Sequence, residues 1–363
     1  MNGVVHKIKV LIIAASVNMR KEISNLIAKD SIIEVIGESR HASEAVSRVQ
    51  ELRPDVVILD IEMPELRGLV TLTSIMAARP TPLLMLSSGT KDGIIATITG
   101  LQSGAVDFIS KPSQSSVPDL STIKDELVFK IKQAAQIPLR TLILNNIIVC
   151  NVKARQENRE SSIIECKESF DQILAIGCGV GGLKALEIVI SALPACFPYP
   201  LLVVQHIPSK YTKVLADRLN RFSSLRVVEA KDHQVVVGGT IYIAPGDYLM
   251  TVVQLEREFR IKLYKKPLVT GQFSSVDALF NSISGLKSLK QHFILMSGMG
   301  SDGAKGMLSA KQAGAKSTIV ESQETSIVYE MPGAAVDLGC VDYEVSSHLL
   351  ASKILEVTEV LKR

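Results

Sequence analysis

The sequence predicts a two-domain α/β protein. An N-terminal doubly wound, five-stranded parallel unit precedes a mostly parallel α/β domain with an antiparallel extension. Three observations carry this expectation. The chain has 363 residues, room for two domains of roughly 100–200 residues each. Its first third alternates short apolar runs with amphipathic stretches, the mark of parallel strands joined by crossover helices. Past a polar interruption the alternation starts again.

In the first domain, 7–137, the runs Ile8–Ile13, Ile32–Ile36, Asp55–Leu59, Pro82–Leu86 and Ala105–Ile109 are expected as strands. Helical patterns lie near 19–29, 42–52, 68–79, 92–103 and 119–136. Residues 138–170 read as an interdomain linker. Within them Arg155–Ser162 is polar and charged, whereas Thr141–Val152 is apolar enough to dock against a neighbour. The second domain, 171–360, opens with a strand at Gln172–Ile176, a glycine-rich turn, a helix over Gly182–Leu193 and a strand at Leu201–Gln205. Short strands are expected over Arg226–Lys265, Thr240–Ala244 among them. Further α/β alternation over Ser275–Ile319 and a closing helix at about 347–361 complete it.

Composition excludes several functions. Lys+Arg 40 against Asp+Glu 37 leaves a net charge of +3 on a chain that is 47% hydrophobic. That balance fits neither a disordered chain nor a strongly basic nucleic-acid binder. With no Trp and 4% aromatics, a base-stacking platform is excluded as well. No apolar run reaches the ~18 residues of a membrane span, and the N-terminal residues lack the layout of a secretory signal. A cytoplasmic location without membrane insertion is therefore expected. Cys150, Cys166, Cys178, Cys196 and Cys340 form no CxxC pair and no metal-ligand spacing, which reads as free thiols in a reducing compartment.

Functional groups of a parallel sheet gather at the carboxyl ends of its strands. Asp60 ends the third run, Ser87 follows the fourth, and Lys111 follows the fifth in Asp107-Phe-Ile-Ser-Lys-Pro112. Taken alone, Asp60 reads as a helix N-cap. Together, an Asp, a hydroxyl and a Lys on adjacent strand ends can converge on one phosphoryl group, the Lys offsetting its charge and the hydroxyl hydrogen-bonding it.

On these residues, 7–136 resembles a response-regulator receiver domain. The resemblance implies that Asp60 is the phosphoacceptor, that Ser87 and Lys111 are the switch residues, and that an acidic pair after the first strand helps hold Mg²⁺. Here that pair is replaced by Ala14 and Ala15. Mg²⁺ requires octahedral oxygen ligands and neutralises charge on a transferring phosphoryl group; Asp60 alone is a poor set. The expectation is a folded, unresponsive receiver with Mg²⁺ weakly bound or absent and Lys111 paired to Asp60. The competing reading keeps Asp60 phosphorylated.

In the second domain, Gly177, Gly179 and Gly182 fit the dinucleotide pattern G-x-G-x-x-G between a strand and a helix. The acid that should end the next strand and hold a ribose is missing, because that strand ends in Gln205-His206. His206 and Asp302 each follow an apolar strand. A lone His is commonly structural, and Asp302 by itself reads as an N-cap for the helix after it. A glycine elbow, a His and an Asp at three strand ends also form the layout of a hydrolase. There the elbow bears a Ser, the His takes its proton and the Asp orients the His.

These residues resemble the catalytic domain of the chemotaxis protein-glutamate methylesterases. Gln205-His-Ile-Pro208, Tyr242-Ile-Ala-Pro-Gly-Asp247, Ser275-Val-Asp-Ala-Leu-Phe280, Gly298–Gly303 and Met331-Pro332 support the match, which with the receiver runs from about residue 7 to the C-terminus. The resemblance implies an enzyme covered by its receiver until phosphorylation. It would hydrolyse glutamate methyl esters, and in many members deamidate glutamines, on chemoreceptor cytoplasmic helices, with a histidine kinase as a second partner. It implies no cofactor for the hydrolase domain and carries catalytic roles to His206 and Asp302. The nucleophilic Ser, however, falls on Gly179, and Val180 replaces a hydroxyl-bearing neighbour. Three readings stand: an impaired or inactive member that keeps receptor or partner docking; an active ester hydrolase using Cys178 or a His206-activated water; and a nucleotide-binding regulator built on Gly177–Gly182.

Overall fold

The computed structural model describes residues 7–63, 67–111, 123–144, 169–265 and 275–360. The chain divides into two compact units, Met1–Asn146 and Ile147–Arg363. Among the described residues no helix is long and apolar enough to cross a membrane.

The first unit runs β1 (Ile8–Ile13), α1 (Val17–Ile27), β2 (Ile33–Ser39), α2 (Ala42–Leu52), β3 (Val56–Asp60), α3 (Arg67–Ala78), β4 (Leu83–Ser87), α4 (Lys91–Gln102), β5 (Asp107–Ser110) and α5 (Lys124–Ala134). The five strands are parallel in the order β2-β1-β3-β4-β5, so the winding reverses between β1 and β3. Every position of β3 and β4 is buried, which is why both read as unbroken apolar runs. Ser16 and Thr90 cap α1 and α4 by accepting the amides of Met19 and Gly93. β5 starts at Asp107, later than the expected Ala105. The Ala105 amide still belongs to the end of α4, closing on Gly100 O across Gly104 at φ 114°. Residues 139–144 form a short helix, α6. The rest of the apolar stretch to Val152, the polar run Arg155–Ser162, Cys150, Cys166 and Pro112 lie outside the described residues.

The second unit contains β6 (Gln172–Cys178), α7 (Gly182–Ala192), β7 (Leu201–Gln205), α8 (Ser209–Phe222), β8 (Arg226–Glu229), β9 (Thr240–Ile243), β10 (Tyr248–Leu255) and β11 (Glu258–Lys265). After these come α9 (Val276–Ser284), β12 (Lys290–Leu295), α10 (Ala304–Gln312), β13 (Ser317–Glu321), α11 (Glu330–Asp337), β14 (Tyr343–Val345) and α12 (Ser347–Val357). Seven strands pair in parallel in the order β14-β13-β12-β6-β7-β9-β8. The antiparallel part is a separate hairpin, β10 against β11, and β8 and β9 belong to the parallel sheet. Helices α9 and α10 pack over β6 and β12 through a buried apolar cluster centred on Phe280 and Phe293, whose rings meet edge-on at 5.1 Å.

β6 continues two residues past the expected Ile176. Gly177 and Cys178 are strand residues, paired with Val204 and Gln205. A Cβ on Gly177 would collide with Val276 of α9, so this glycine serves helix-on-strand packing, and the turn begins at Gly179. The order β12-β6-β7 sets three carboxyl ends side by side, with β6 in the middle.

Candidate functional site

Those three ends carry Gly179, His206 and the loop to Asp302. The His206 amide donates to Cys178 O at 2.9 Å, fixing its backbone against β6. Its Nε2 lies 2.8 Å from Asp302 Oδ2, and the carboxylate selects the tautomer with the proton on Nε2. Nδ1 is thereby left with its lone pair. That nitrogen faces the elbow, since a Cβ built on Gly179 would lie 3.4 Å from it. The fold thus brings His206 and Asp302 together and aims the imidazole at a position without a side chain.

Asp302 does not cap the helix that follows it. Its oxygens accept the amides of Val276 at 2.8 Å and Asp277 at 3.0 Å, together with the Ser275 hydroxyl at 3.1 Å, all at the start of α9. In return, Asp277 Oδ1 accepts the amides of Gly303 at 3.0 Å and Gly306 at 2.6 Å, at the start of α10. Asp277 of α9 thus serves the start of α10, and Asp302, just before α10, serves the start of α9 beside that helix's own N-cap, Ser275. Burial works to raise the Asp302 carboxyl, but the bond from His206, its charge and the two amides together hold it below the usual carboxylate range. Burial, with the neighbouring Asp302 charge, pushes Asp277 the other way despite its two amide bonds.

Around the turn, the Gly179 amide donates to Ser297 O at 2.8 Å, and Gly179 O accepts from Gly182 N at 3.0 Å and Gln205 Nε2 at 2.9 Å. A Cβ on Gly181, at φ +77°, would collide with Ile327, and one on Gly182 would come within 2.7 Å of Ser297 O. These glycines let Ile327 and the Ser297 carbonyl approach the turn closely. Cys178 is fully buried, and its thiol donates to Gln205 Oε1 at 3.0 Å. Burial, reinforced by the charge of Glu321, pushes that thiol well above its ordinary value. Its partner is Gln205, one residue short of His206.

In the first unit, Lys111 Nζ lies 2.6 Å from Asp60 Oδ1 and 3.2 Å from Glu62 Oε2. Glu62 also accepts the Ser88 amide at 2.7 Å and the hydroxyls of Ser88 and Thr90. Burial works to raise Glu62, yet the Ser88 bonds and Lys111 hold it below its ordinary value. Ser87 is fully buried; its hydroxyl donates to Gly93 O at 3.1 Å and meets Thr97. Ala14 and Ala15 present their carbonyls to Arg20 Nη1 at 2.6 and 3.2 Å, while Arg20 Nε pairs with Glu38 at 3.0 Å. Among the described residues no group of three or more His, Cys, Asp or Glu is arranged to hold a metal ion.

Sequence reasoning placed Asp60 with Lys111 and His206 with Asp302, and the structure brings each pair into contact. It missed Glu62, Asp277 and Glu321. A signal existed for two of them: Glu62 follows Asp60 by two residues, and Glu321, like Asp60, is an acid ending an apolar strand.

The chain is similar to known proteins along most of its length. Residues 174–354 match the CheB methylesterase family, and residues 10–118 match the response regulator receiver domain. The chain is 37% identical over 351 residues to a protein-glutamate methylesterase/protein-glutamine glutaminase of Geobacillus kaustophilus (strain HTA426), covering 96% of this chain and 98% of that one. A protein of the same description from Pyrococcus horikoshii is 37% identical over 356 residues, covering 98% and 95%. The solved catalytic domain of Thermotoga maritima CheB methylesterase superposes with a TM-score of 0.50 at 33% identity, covering 52% of this chain and all of that domain. The chain therefore belongs to the CheB methylesterase family, in the form that carries a response-regulator receiver domain ahead of the methylesterase domain.

Proposed function

We propose that this chain recognises the glutamyl side chains of chemoreceptors without running the acyl-enzyme route of its relatives, acting as a docking member of the chemotaxis system. One observation carries the reading: His206 Nδ1, freed as a base by the Asp302 bond, faces the bare backbone of Gly179. Ester hydrolysis through a covalent intermediate needs a nucleophile within hydrogen-bond reach of that base. Here His206 has no hydroxyl to deprotonate at position 179. What His206 and Asp302 retain is the ability to orient and polarise a bound ester or amide. In triad-deleted hydrolases such leftovers give a residual ~10³–10⁴-fold over water, far below a working enzyme.

The receiver reading follows the same logic. A divalent ion would neutralise charge on a transferring phosphoryl group. The donor set does not fit one, because Asp60 Oδ1 is taken by Lys111 and the Ala14 and Ala15 carbonyls are taken by Arg20. Lys111 serves both Asp60 and Glu62 already, so the cluster keeps a net negative charge that works against adding a phosphoryl group. Receptor helices and a histidine kinase remain the partners that family membership suggests.

Methanol release from methylated chemoreceptors tests the proposal, run beside co-sedimentation of the protein with receptor-bearing membranes. The expected result is co-sedimentation without methanol above background. Robust turnover that survives Cys178→Ala would overturn the docking-only reading, and turnover abolished by Cys178→Ala would replace it with a cysteine-dependent hydrolase.

A further inference from the structure

The nitrogen that faces position 179 also sets which partner group fits beside it. With its proton held on Nε2 against Asp302 at 2.8 Å, His206 is an acceptor only at Nδ1. In a serine-bearing elbow the hydroxyl proton would fill that lone pair. Here position 179 has no side chain, and among the described residues nothing donates to Nδ1. The nearest walls of the gap offer no donor in its place. A Cβ at 179 would meet Gly298 Cα at 3.0 Å and Met331 Sδ at 3.3 Å, a carbon and a thioether. The imidazole keeps 14% of its side-chain surface exposed, so a partner's side chain can reach it.

We propose that His206 is a specificity-determining residue, and that the chain docks on glutaminyl side chains in preference to glutamyl methyl esters. This rests on the docking reading above and names the group that docking prefers. The two side chains share a carbonyl and differ in the group beside it, NH₂ against OCH₃. A carboxamide brings two N–H donors, one of which completes Nδ1. A methyl ester brings none, and seating it strips water from Nδ1 without replacing the bond. A site that presents an unfilled acceptor rejects the analogue that lacks the donor. The loss of the serine thus does more than remove a nucleophile: it hands the lone pair of His206 to the partner.

Co-sedimentation of the full-length chain with receptor-bearing membranes tests this, the methylation-site residues being either all glutamine or all glutamyl methyl ester. Half-saturation is expected at roughly three- to tenfold less receptor on the glutamine membranes. The ratio of the two affinities is the readout, so a general loss of binding in a variant does not imitate it. His206→Phe keeps a ring and removes the lone pair, and should bring the ratio to one. Gly179→Ala adds no nucleophile but sets a methyl group about 3.4 Å from Nδ1, and should lower the ratio as well. Equal binding of the two membranes by the native chain, or a preference for the ester, overturns the proposal and leaves docking intact. A glutamine preference undiminished in His206→Phe, or in Gly179→Ala where the first variant does not fold, also overturns it. Binding to neither membrane sinks the docking reading and this inference together.

Discussion

Replacing Gly179 with Ser should restore a nucleophile, and the structure sets the size of the effect. The new Cβ would lie 3.4 Å from His206 Nδ1. One further C–O bond places the hydroxyl within the roughly 2.6–3.2 Å that general-base catalysis requires. The backbone at 179 is not in the left-handed region, so a side chain is tolerated there. Crowding is mild: the Cβ would sit 3.0 Å from Gly298 Cα and 3.3 Å from the flexible Met331 Sδ. A shift of a few tenths of an ångström should cost about 1 kcal/mol of stability. Against that, an acyl-enzyme route should raise ester hydrolysis by roughly 10³-fold or more, or about 4 kcal/mol of barrier. Labelling by a fluorophosphonate, which reports an activated serine without any receptor, gives the first measurement; methanol release gives the second. The control is the double variant with His206→Ala. A folded Gly179→Ser protein that labels no faster than this control would refute the claim that His206 is aimed at position 179.

Further outcomes are expected elsewhere. His292 is enclosed in β12, with Nδ1 2.8 Å from Ser317 Oγ and Nε2 2.9 Å from Gln172 Oε1, and burial, assisted by Lys316 and Lys290, pulls it from 6.5 to about 4. With the folded value depressed, the unfolded chain takes the proton first. The stability is therefore complete above about pH 6.5 and drains away as pH falls toward 4, by about 3 kcal/mol in all. Denaturant unfolding of the second unit at several pH values reads this, and an unchanged slope in His292→Gln would contradict it. Asp277→Ala should lower the stability of the second unit by about 1–2 kcal/mol, by stripping the start of α10 of its acceptor; Asp277→Asn, which keeps one oxygen, should lose less in the same denaturant titration. Incubation with a small phosphodonor and Mg²⁺ should leave Asp60 unmodified, and an acid-labile mass adduct on that residue would refute the claim that its pairing with Lys111 closes the pocket to a phosphoryl group.

Much of the fold was legible because parallel sheets write themselves plainly. Strands buried on both faces read as apolar runs, and the residues that end them fall at one edge of the sheet. Asp60, Lys111, His206 and Asp302 could be placed by that rule alone. What stayed hidden depends on contacts distant in sequence. Gly177 looks like the start of a turn, but its bare Cα makes room for Val276, a residue that local spacing cannot connect to it. Asp302 looks like a cap for α10, and only the packing of α9 against α10 shows that it serves the start of α9 instead. Helix α8 carried a usable signal, with Tyr211, Leu215 and Leu219 buried at four-residue spacing. The role of Glu62 depends on Lys111, which arrives from the other side of β4.

The crossed bonding of these two acids bears on the order in which such a site can decay. Asp302 has two employments, orienting an imidazole and closing the start of α9. Were hydrolysis to become dispensable, mutation of this aspartate would still be purged, because the helix pair would lose an anchor. Gly179, by contrast, carries no side chain through which another element is held. In this architecture the presence of the His–Asp pair is accounted for by folding alone, and by itself it testifies to neither catalysis nor its absence.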